Sequence, residues 1–558
     1  MASMTAKQLA EEYEKDVSKE LFKYECLKDL DLFVLDNSIR ESTVGQLRGH
    51  TIENKRDIFN EVTKCGFRHR IVASYNHQRR VDDGFVKELL AKGEDPEFLW
   101  AFSEVTEGIS RKVPDQTSIP VGLLKMKEAG LRNVIFEIDL GNSTYNFEKF
   151  TVDDMCRLVE KWVKWVKTNL GSSSKVLVNF RDIPDVMPSQ SKRVFHVVDF
   201  LARLNLLFGI MFEDQRGKSL PEECATWAKF IRKVMDSVNW KGHLLVHVHE
   251  KFGYMDATAI ASLMAGANGI WASVCTEGAS IGNASSCVTI INLVRLGNKK
   301  VLKMYNCSYL RKAAIRVTEI TTGSPPHKNQ PIFGTRATDF MFDLKPEEFD
   351  LASVFGEKAP VRITELASPQ MILSRLSELF GKSTAFTLEI ASKMKEMILE
   401  DLRSGRKEEY MSKVGLALLF DRSGGSLNEE MCDIIAADEA KNPYEKRLLE
   451  DIRQRWNEWD LLDAEHNDEK LQYDSFYNGF LAPYFSSLRC HDTKQALQAI
   501  DMDANGYVDW KEFLVYLKWA FRQYPDVEDA NELLDVTFRK GLIPAMRDER
   551  ILLKGIED

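Results

Sequence analysis

One repeating alternation constrains the fold of this chain more than any other feature. Short apolar or β-branched runs occur at Leu32–Asp36, His69–Ser74, Leu99–Ser103, Val134–Asp139, Lys175–Asn179, Leu207–Phe212, Leu244–His249 and Gly269–Val274. Amphipathic segments at helical spacing lie between most of them, including Glu53–Cys65, Val152–Thr168, Val194–Leu204 and Pro221–Val238. Eight alternating strand–helix units over about 240 residues are the count and length of a (β/α)8 TIM barrel. Ala6–Asp29 reads as a lead-in helix. After Lys345 the chain turns helical, at Pro369–Phe380, Thr384–Ser404, Glu408–Phe420, Asn428–Asp438 and Tyr444–Trp459. The expected fold is therefore α/β, a barrel followed by an all-α region.

Composition narrows the class. The 558 residues are too many for one ordinary domain. A formal net charge of −10 argues against a nucleic-acid binder, which would carry a basic face. The nine cysteines are scattered, odd in number and without a CxxC pair, as expected for free thiols in a reducing compartment. The N-terminal MASMTAKQLAEEYEKDVSKE lacks the apolar core of a signal peptide, and no run of about 20 apolar residues could span a membrane. These features predict a cytoplasmic protein.

Two stretches carry titratable residues at strand ends. Leu244–Asn283 opens on an apolar run ending His247-Val248-His249. Alternate residues of a strand point to one side, so both imidazoles aim at one point. Two readings stand at this stage, a metal site and a buried strand with two satisfied histidines. Asp31–Glu41 ends in Arg40 and Glu41. Together the stretches supply an acid, two histidines and a carboxamide, a mixed O/N donor set suited to Mg2+, Mn2+ or Zn2+. His77, Asp139, Arg181, Asp182 and Asp214 also lie near predicted strand ends and receive no catalytic assignment.

A third stretch, Asp501–Glu512 (DMDANGYVDWKE), matches the EF-hand loop. Oxygen ligands fall at Asp501, Asp503, Asn505, Asp509 and Glu512, Tyr507 offers its backbone carbonyl, and Gly506 takes the turn. Val508 stands where paired loops exchange a short β-bridge. About 40 residues upstream, Trp459–Phe476 could supply a degenerate partner through Leu471, with Ser475 where a bidentate Glu belongs. Four domains are expected: a lead-in over 1–30, the barrel over 31–345, a helical linker or lid over 346–440, and an EF-hand domain over 441–558.

The barrel stretches resemble the DRE-TIM metallolyases, that is isopropylmalate synthase, homocitrate synthase and hydroxymethylglutaryl-CoA lyase. Asp36-Asn37-Ser38-Ile39-Arg40-Glu41 resembles that family's first-strand D-S-T-L-R-E, and His247-Val248-His249 its H-x-H. Val274–Asn283 is similar to the synthases' V-N-G-I-G-E-R-x-G-N, and Phe212–Pro221 to a variant of D-T-x-G…P. The resemblance covers about half the chain. It implies that Glu41, His247, His249 and Asn283 hold a divalent metal, which chelates a 2-oxoacid or 2-hydroxyacid. It implies that Arg40 faces the carbonyl oxygen that gains charge as a carbon–carbon bond forms or breaks. Expected partners are a small carboxylate, an acyl-CoA if the chemistry is Claisen-type acyl transfer, and a second copy of the chain in a homodimer. Neither nucleic acid nor membrane is expected. The sequence departs from the family where Arg70-Ile71-Val72 offers no acid on the second strand, where Glu250-Lys251 follow H-x-H, and where Gln215 replaces Thr. Those departures leave two further readings open, a retro-aldol lyase and a non-catalytic calcium-binding protein on a barrel scaffold.

Overall fold

The structure is a computed structural model. It describes residues 24–41, 51–77, 81–277, 281–339, 349–359, 363–403, 412–438, 443–460, 470–482, 500–502 and 504–523, with 8, 10–15, 410, 532 and 533. The chain divides into two compact units, Met1–Thr338 with Glu347–Ala359, and Asp339–Pro346 with Pro360–Asp558.

The first unit is a closed, all-parallel barrel of eight strands. They are β1 (Phe33–Asp36), β2 (His69–Ser74), β3 (Leu99–Glu104), β4 (Asn133–Ile138), β5 (Val176–Phe180), β6 (Gly209–Asp214), β7 (His243–Val248) and β8 (Gly269–Ala272). All eight expected strands are present, shifted by two residues or fewer at either end. Along each strand, alternate side chains enter two different cores. Leu35, Ile71, Trp100, Ile135, Leu177, Met211, Leu245 and Trp271 fill the barrel interior. Val34, Val134, Val178, Ile210, Phe212, Leu244, Val246 and Val248 face out, beneath the surrounding helices. The period fixes which residues look inward near the strands' C-terminal ends: Glu137, Asn179, Glu213 and His247.

Helices α1 (Ser38–Glu41), α2 (Ile52–Lys64), α3 (Val81–Ala91), α4 (Val121–Ala129), α5 (Val152–Asn169), α6 (Ile183–Leu204), α7 (Pro221–Ser237), α8 (Met255–Met264), α9 (Ser286–Arg295), α10 (Lys299–Met304) and α11 (Cys307–Thr322) lie on or follow the barrel. Their starts obey local chemistry. The Thr51 hydroxyl accepts from Asn54 N at 3.1 Å, and Thr151 and Asp154 form a reciprocal capping box. α6 begins eleven residues before the expected Val194, with Pro188 inside it and a non-helical Gln190 marking a kink. A small hairpin pairs Ile109–Ser110 with Val113–Pro114. It escapes the sequence pattern because each arm is two residues long. Of the lead-in, residues 10–15 and Glu25–Lys28 are helical.

The second unit has its own core, running from Ile363 to Leu533. Helices α12 (Pro369–Phe380), α13 (Leu388–Arg403), α14 (Lys413–Arg422), α15 (Glu429–Ala436), α16 (Pro443–Asp460) and α17 (Trp510–Gln523) build it, with a short antiparallel ladder of β9 (Lys470–Gln472) and β10 (Tyr507–Asp509). Among the described residues, no helix is long and apolar enough to cross a membrane.

Candidate metal centre in the barrel

The H-x-H imidazoles converge as their spacing demands, and the backbone fixes their tautomers. His247 Nδ1 is 3.0 Å from the Trp271 carbonyl, and His249 Nδ1 is 3.0 Å from the Gly282 carbonyl. A carbonyl only accepts, so both Nδ1 atoms carry hydrogen, and on the neutral His247 ring this leaves Nε2 with its lone pair, while His249 Nε2 faces the Glu213 carboxylate. Metal-ligating histidines are oriented in this way. His247 also stacks on the Trp271 indole at 4.2 Å and 14°. Burial pushes its pKa down to about 3, so the ring is neutral and able to ligate.

A carboxylate completes the cluster. Glu213 is paired in register with His247 across β6 and β7, and its Oε1 lies 3.2 Å from His249 Nε2. Its Oε2 accepts from Asn179 Nδ2 at 2.6 Å. Among the described residues, the ligand atoms of Glu213, His247 and His249 all lie within 4.8 Å of one another. The sequence draws attention to Asp214 rather than to Glu213, although the period along β6 points Met211 and Glu213 inward and Phe212 out. Asp214 accepts from Ser219 N at 2.8 Å and Arg216 N at 3.3 Å, so it ties down its own loop.

The other proposed ligands fall in two groups. Asn283 bridges to His249 through the backbone, and its side chain is fully buried with neither amide atom hydrogen-bonded. An orphaned buried amide is costly, and a ligand would satisfy it. Glu41 ends α1, and its side chain lies outside the described residues. The Arg40 guanidinium lies 4.6 Å above the Phe102 ring and 5.3 Å from that of Trp271, so it faces the ring that stacks on His247. The donor set of two imidazole nitrogens, a carboxylate and an amide thus fits a divalent cation.

Around this centre the barrel mouth carries further ionisable groups. Glu137 lies 3.4 Å from Asn179 Nδ2, the amide that also holds Glu213. Burial first, and then the Glu213 charge, push the Glu137 carboxyl well up. Arg181 grips Asp139 through Nε at 3.0 Å and Nη2 at 2.5 Å. Asp182 accepts the Leu140 and Gly141 amides, which is a structural role. His77, largely exposed, pairs with Glu107.

In the second unit the Asp501–Glu512 segment closes on itself. Gly506 adopts φ +87°, and Asp501 accepts Asn505 N at 3.2 Å and Gly506 N at 2.9 Å. The Glu512 carboxylate accepts Met502 N at 2.6 Å and Asp509 N at 3.1 Å, spanning both ends of the loop. Leu471 pairs with Val508 in the ladder. Tyr507 lies in β10, and Asp503 lies outside the described residues. Burial first, then the charges of Asp509 and Asp501, push Glu512 up to about 7.

No protein-family model matches the chain. Its fold is similar to solved hydroxymethylglutaryl-CoA lyases. The enzyme from Acinetobacter baumannii, in complex with coenzyme A and 3-methylmalate, is 14% identical, with a TM-score of 0.42 over 57% of this chain and 98% of that one. The Bacillus subtilis enzyme is 14% identical, with a TM-score of 0.40 over 55% and 98%. The carboxyl transferase domain of Rhizobium etli pyruvate carboxylase is 12% identical, with a TM-score of 0.38 over 93% and 80%.

Proposed function

We propose that the barrel is a divalent-metal-dependent enzyme that makes or breaks a carbon–carbon bond beside a carbonyl, acting on a 2-oxoacid or 2-hydroxyacid. The observation that carries this reading is the paired histidines. Each is held at Nδ1 by a backbone carbonyl, which turns Nε2 toward Glu213, beside an Asn283 amide with no partner. His247, His249, Asn283 and Glu213 would hold the metal, with Glu41 contributing from the end of α1. A bound divalent cation supplies Lewis acidity toward adjacent oxygens of such a substrate. Arg40 brings a fixed positive charge to the oxygen that gains negative charge. Glu137 keeps a proton inside the mouth, within reach of groups on the β4–β5 side. We extend the proposal to Claisen-type transfer from an acyl-CoA, with retro-aldol cleavage as the alternative, and to a homodimer in solution.

In the second unit we assign calcium to Asp501, Asp503, Asn505, Tyr507, Asp509 and Glu512. The left-handed glycine at the sixth position, the eighth-position β-bridge to Leu471, and a carboxylate spanning the loop ends support this reading. The upstream loop, with Ser475 in place of an acid, serves as a structural partner.

The experiment is metal analysis of purified wild type, His247→Ala/His249→Ala and Glu512→Gln. We expect a transition metal or Mg2+ lost only from the histidine variant, and Ca2+ lost only from the Glu512 variant. Turnover of 2-oxoacids is then screened with and without acyl-CoA. Calcium alone in the wild type would leave the barrel as a scaffold and sink the enzyme reading.

A further inference from the structure

Helix α2 carries one residue that its amphipathic pattern does not explain. Lys55 sits in the stripe with Ile58, Phe59 and Val62 that packs on the barrel, and it is fully buried. Its Nζ lies 2.9 Å from Asp82 Oδ1, with Asp82 itself only 1% exposed. The other Asp82 oxygen accepts Ser74 N at 3.0 Å, at the end of β2. Lys55 Nζ also donates to the Ile39 carbonyl at 2.9 Å.

Desolvating a lysine and an aspartate costs so much that a well-packed apolar pair is often as stable or more so. Packing alone therefore gives no reason for charge here. What an apolar pair cannot do is hold a carbonyl. α1 is a single turn, Ser38–Glu41, too short to fix its own orientation through internal hydrogen bonds. The carbonyl that Lys55 takes is in the peptide bond joining Ile39 to Arg40. At the residue before Ile39, Val274 N donates to Ser38 Oγ at 2.8 Å. The turn carrying Arg40 and Glu41 is thus anchored at Ser38 to β8's loop and at the next residue, through the Ile39 carbonyl, to an ion pair. Arg40 lies over Trp271, and Trp271 stacks on His247, so displacing this turn reaches the metal cluster.

We infer that Lys55, held by Asp82, is a positioning residue that sets the Arg40–Glu41 turn against the barrel's metal centre. The inference rests on the metal reading proposed above. Its test uses the full chain, stripped of metal and titrated with Mn2+, for wild type, Lys55→Met and Lys55→Met/Asp82→Leu, with urea unfolding in parallel. Lys55→Met strands a buried aspartate and should be the less stable; the double variant removes both charges and should recover the wild-type urea midpoint. Mn2+ affinity is expected to fall 10- to 100-fold in both, the range typical of residues that orient metal ligands. The outcome that overturns the inference is a double variant binding Mn2+ as wild type does, since the pair would then serve stability alone. A wild type without His247-dependent Mn2+ binding overturns the metal reading itself, and with it this inference. A Lys55→Met that fails to fold leaves the decision to the double variant.

Discussion

At the scale of single residues, the proposed metal site carries a cost in the folded protein. Asn283 buries an amide with no hydrogen bond, which costs about 1–3 kcal/mol. Truncating it leaves a cavity but removes that cost. We therefore expect the unfolding free energy of Asn283→Ala in EDTA to stay within about 1 kcal/mol of wild type by urea titration, while the variant loses most of the stabilisation that Mn2+ gives the wild type. A large loss of stability in EDTA would make the amide structural. Asp36 records a second cost. Burial raises its carboxyl to about 7, although Ser38 Oγ donates to it at 2.9 Å. The unfolded chain releases this proton near 3.9, so the folded state binds more protons between the two values, and stability falls as pH rises through that window. The contribution is complete below about pH 4 and gone above about pH 7, and it amounts to at most ~1.4 kcal/mol for each pH unit between those limits. Asp36→Asn should flatten the decline in urea midpoint between pH 5 and 8, and an unchanged slope would refute the assignment. The sequence displayed the histidines because strand alternation aims them together, and Arg40 because its motif resembles a family signature. It hid Glu213 because the neighbouring Asp214 better fits the sixth-strand motif, and it hid Lys55 because only tertiary packing shows that a helical lysine is buried.

At the scale of elements, the eight strands were legible because strand ends in a parallel barrel coincide with the ends of apolar runs. Two features were not: a hairpin with two-residue arms, and a helix carried past Pro188 by tertiary packing rather than by propensity. The loop from β8 to α9 was legible as a glycine loop, but its strain was not. Gly282 adopts φ +85°, and a Cβ there would sit 2.6 Å from the Thr276 carbonyl. Its own carbonyl is the one that orients His249. Gly282→Ala incurs the left-handed penalty, about 1–2 kcal/mol, and must also move backbone. Gly253 is the natural control, with φ +86° and nothing within 4 Å of the added Cβ. We expect Gly253→Ala to lose about 1 kcal/mol with Mn2+ affinity unchanged. Gly282→Ala should lose about 2 kcal/mol or more, with weakened Mn2+ binding. Equal losses in the two variants, with equal metal affinity, would show that the loop relaxes without moving His249.

At the scale of the whole molecule, two units with separate cores imply two separately addressable stabilities. A ligand that binds only the folded state stabilises by RT ln(1 + [L]/Kd), about 2.7 kcal/mol at a hundredfold excess over Kd. If the Asp501–Glu512 loop binds calcium, that energy enters the unit whose core contains Val508, Phe513 and Leu517 and no other. Three of the loop's carboxylates, Asp501, Asp509 and Glu512, crowd together, so a bound cation also relieves their mutual repulsion. Differential scanning calorimetry should then resolve two transitions. Ca2+ should raise one of them, and Glu512→Gln should abolish that rise without moving the other. Mn2+ should raise the second, and His247→Ala/His249→Ala should abolish that response alone. A single transition displaced by both ions and weakened by either set of variants would mean that the units unfold as one. Calcium would then stabilise the barrel as well.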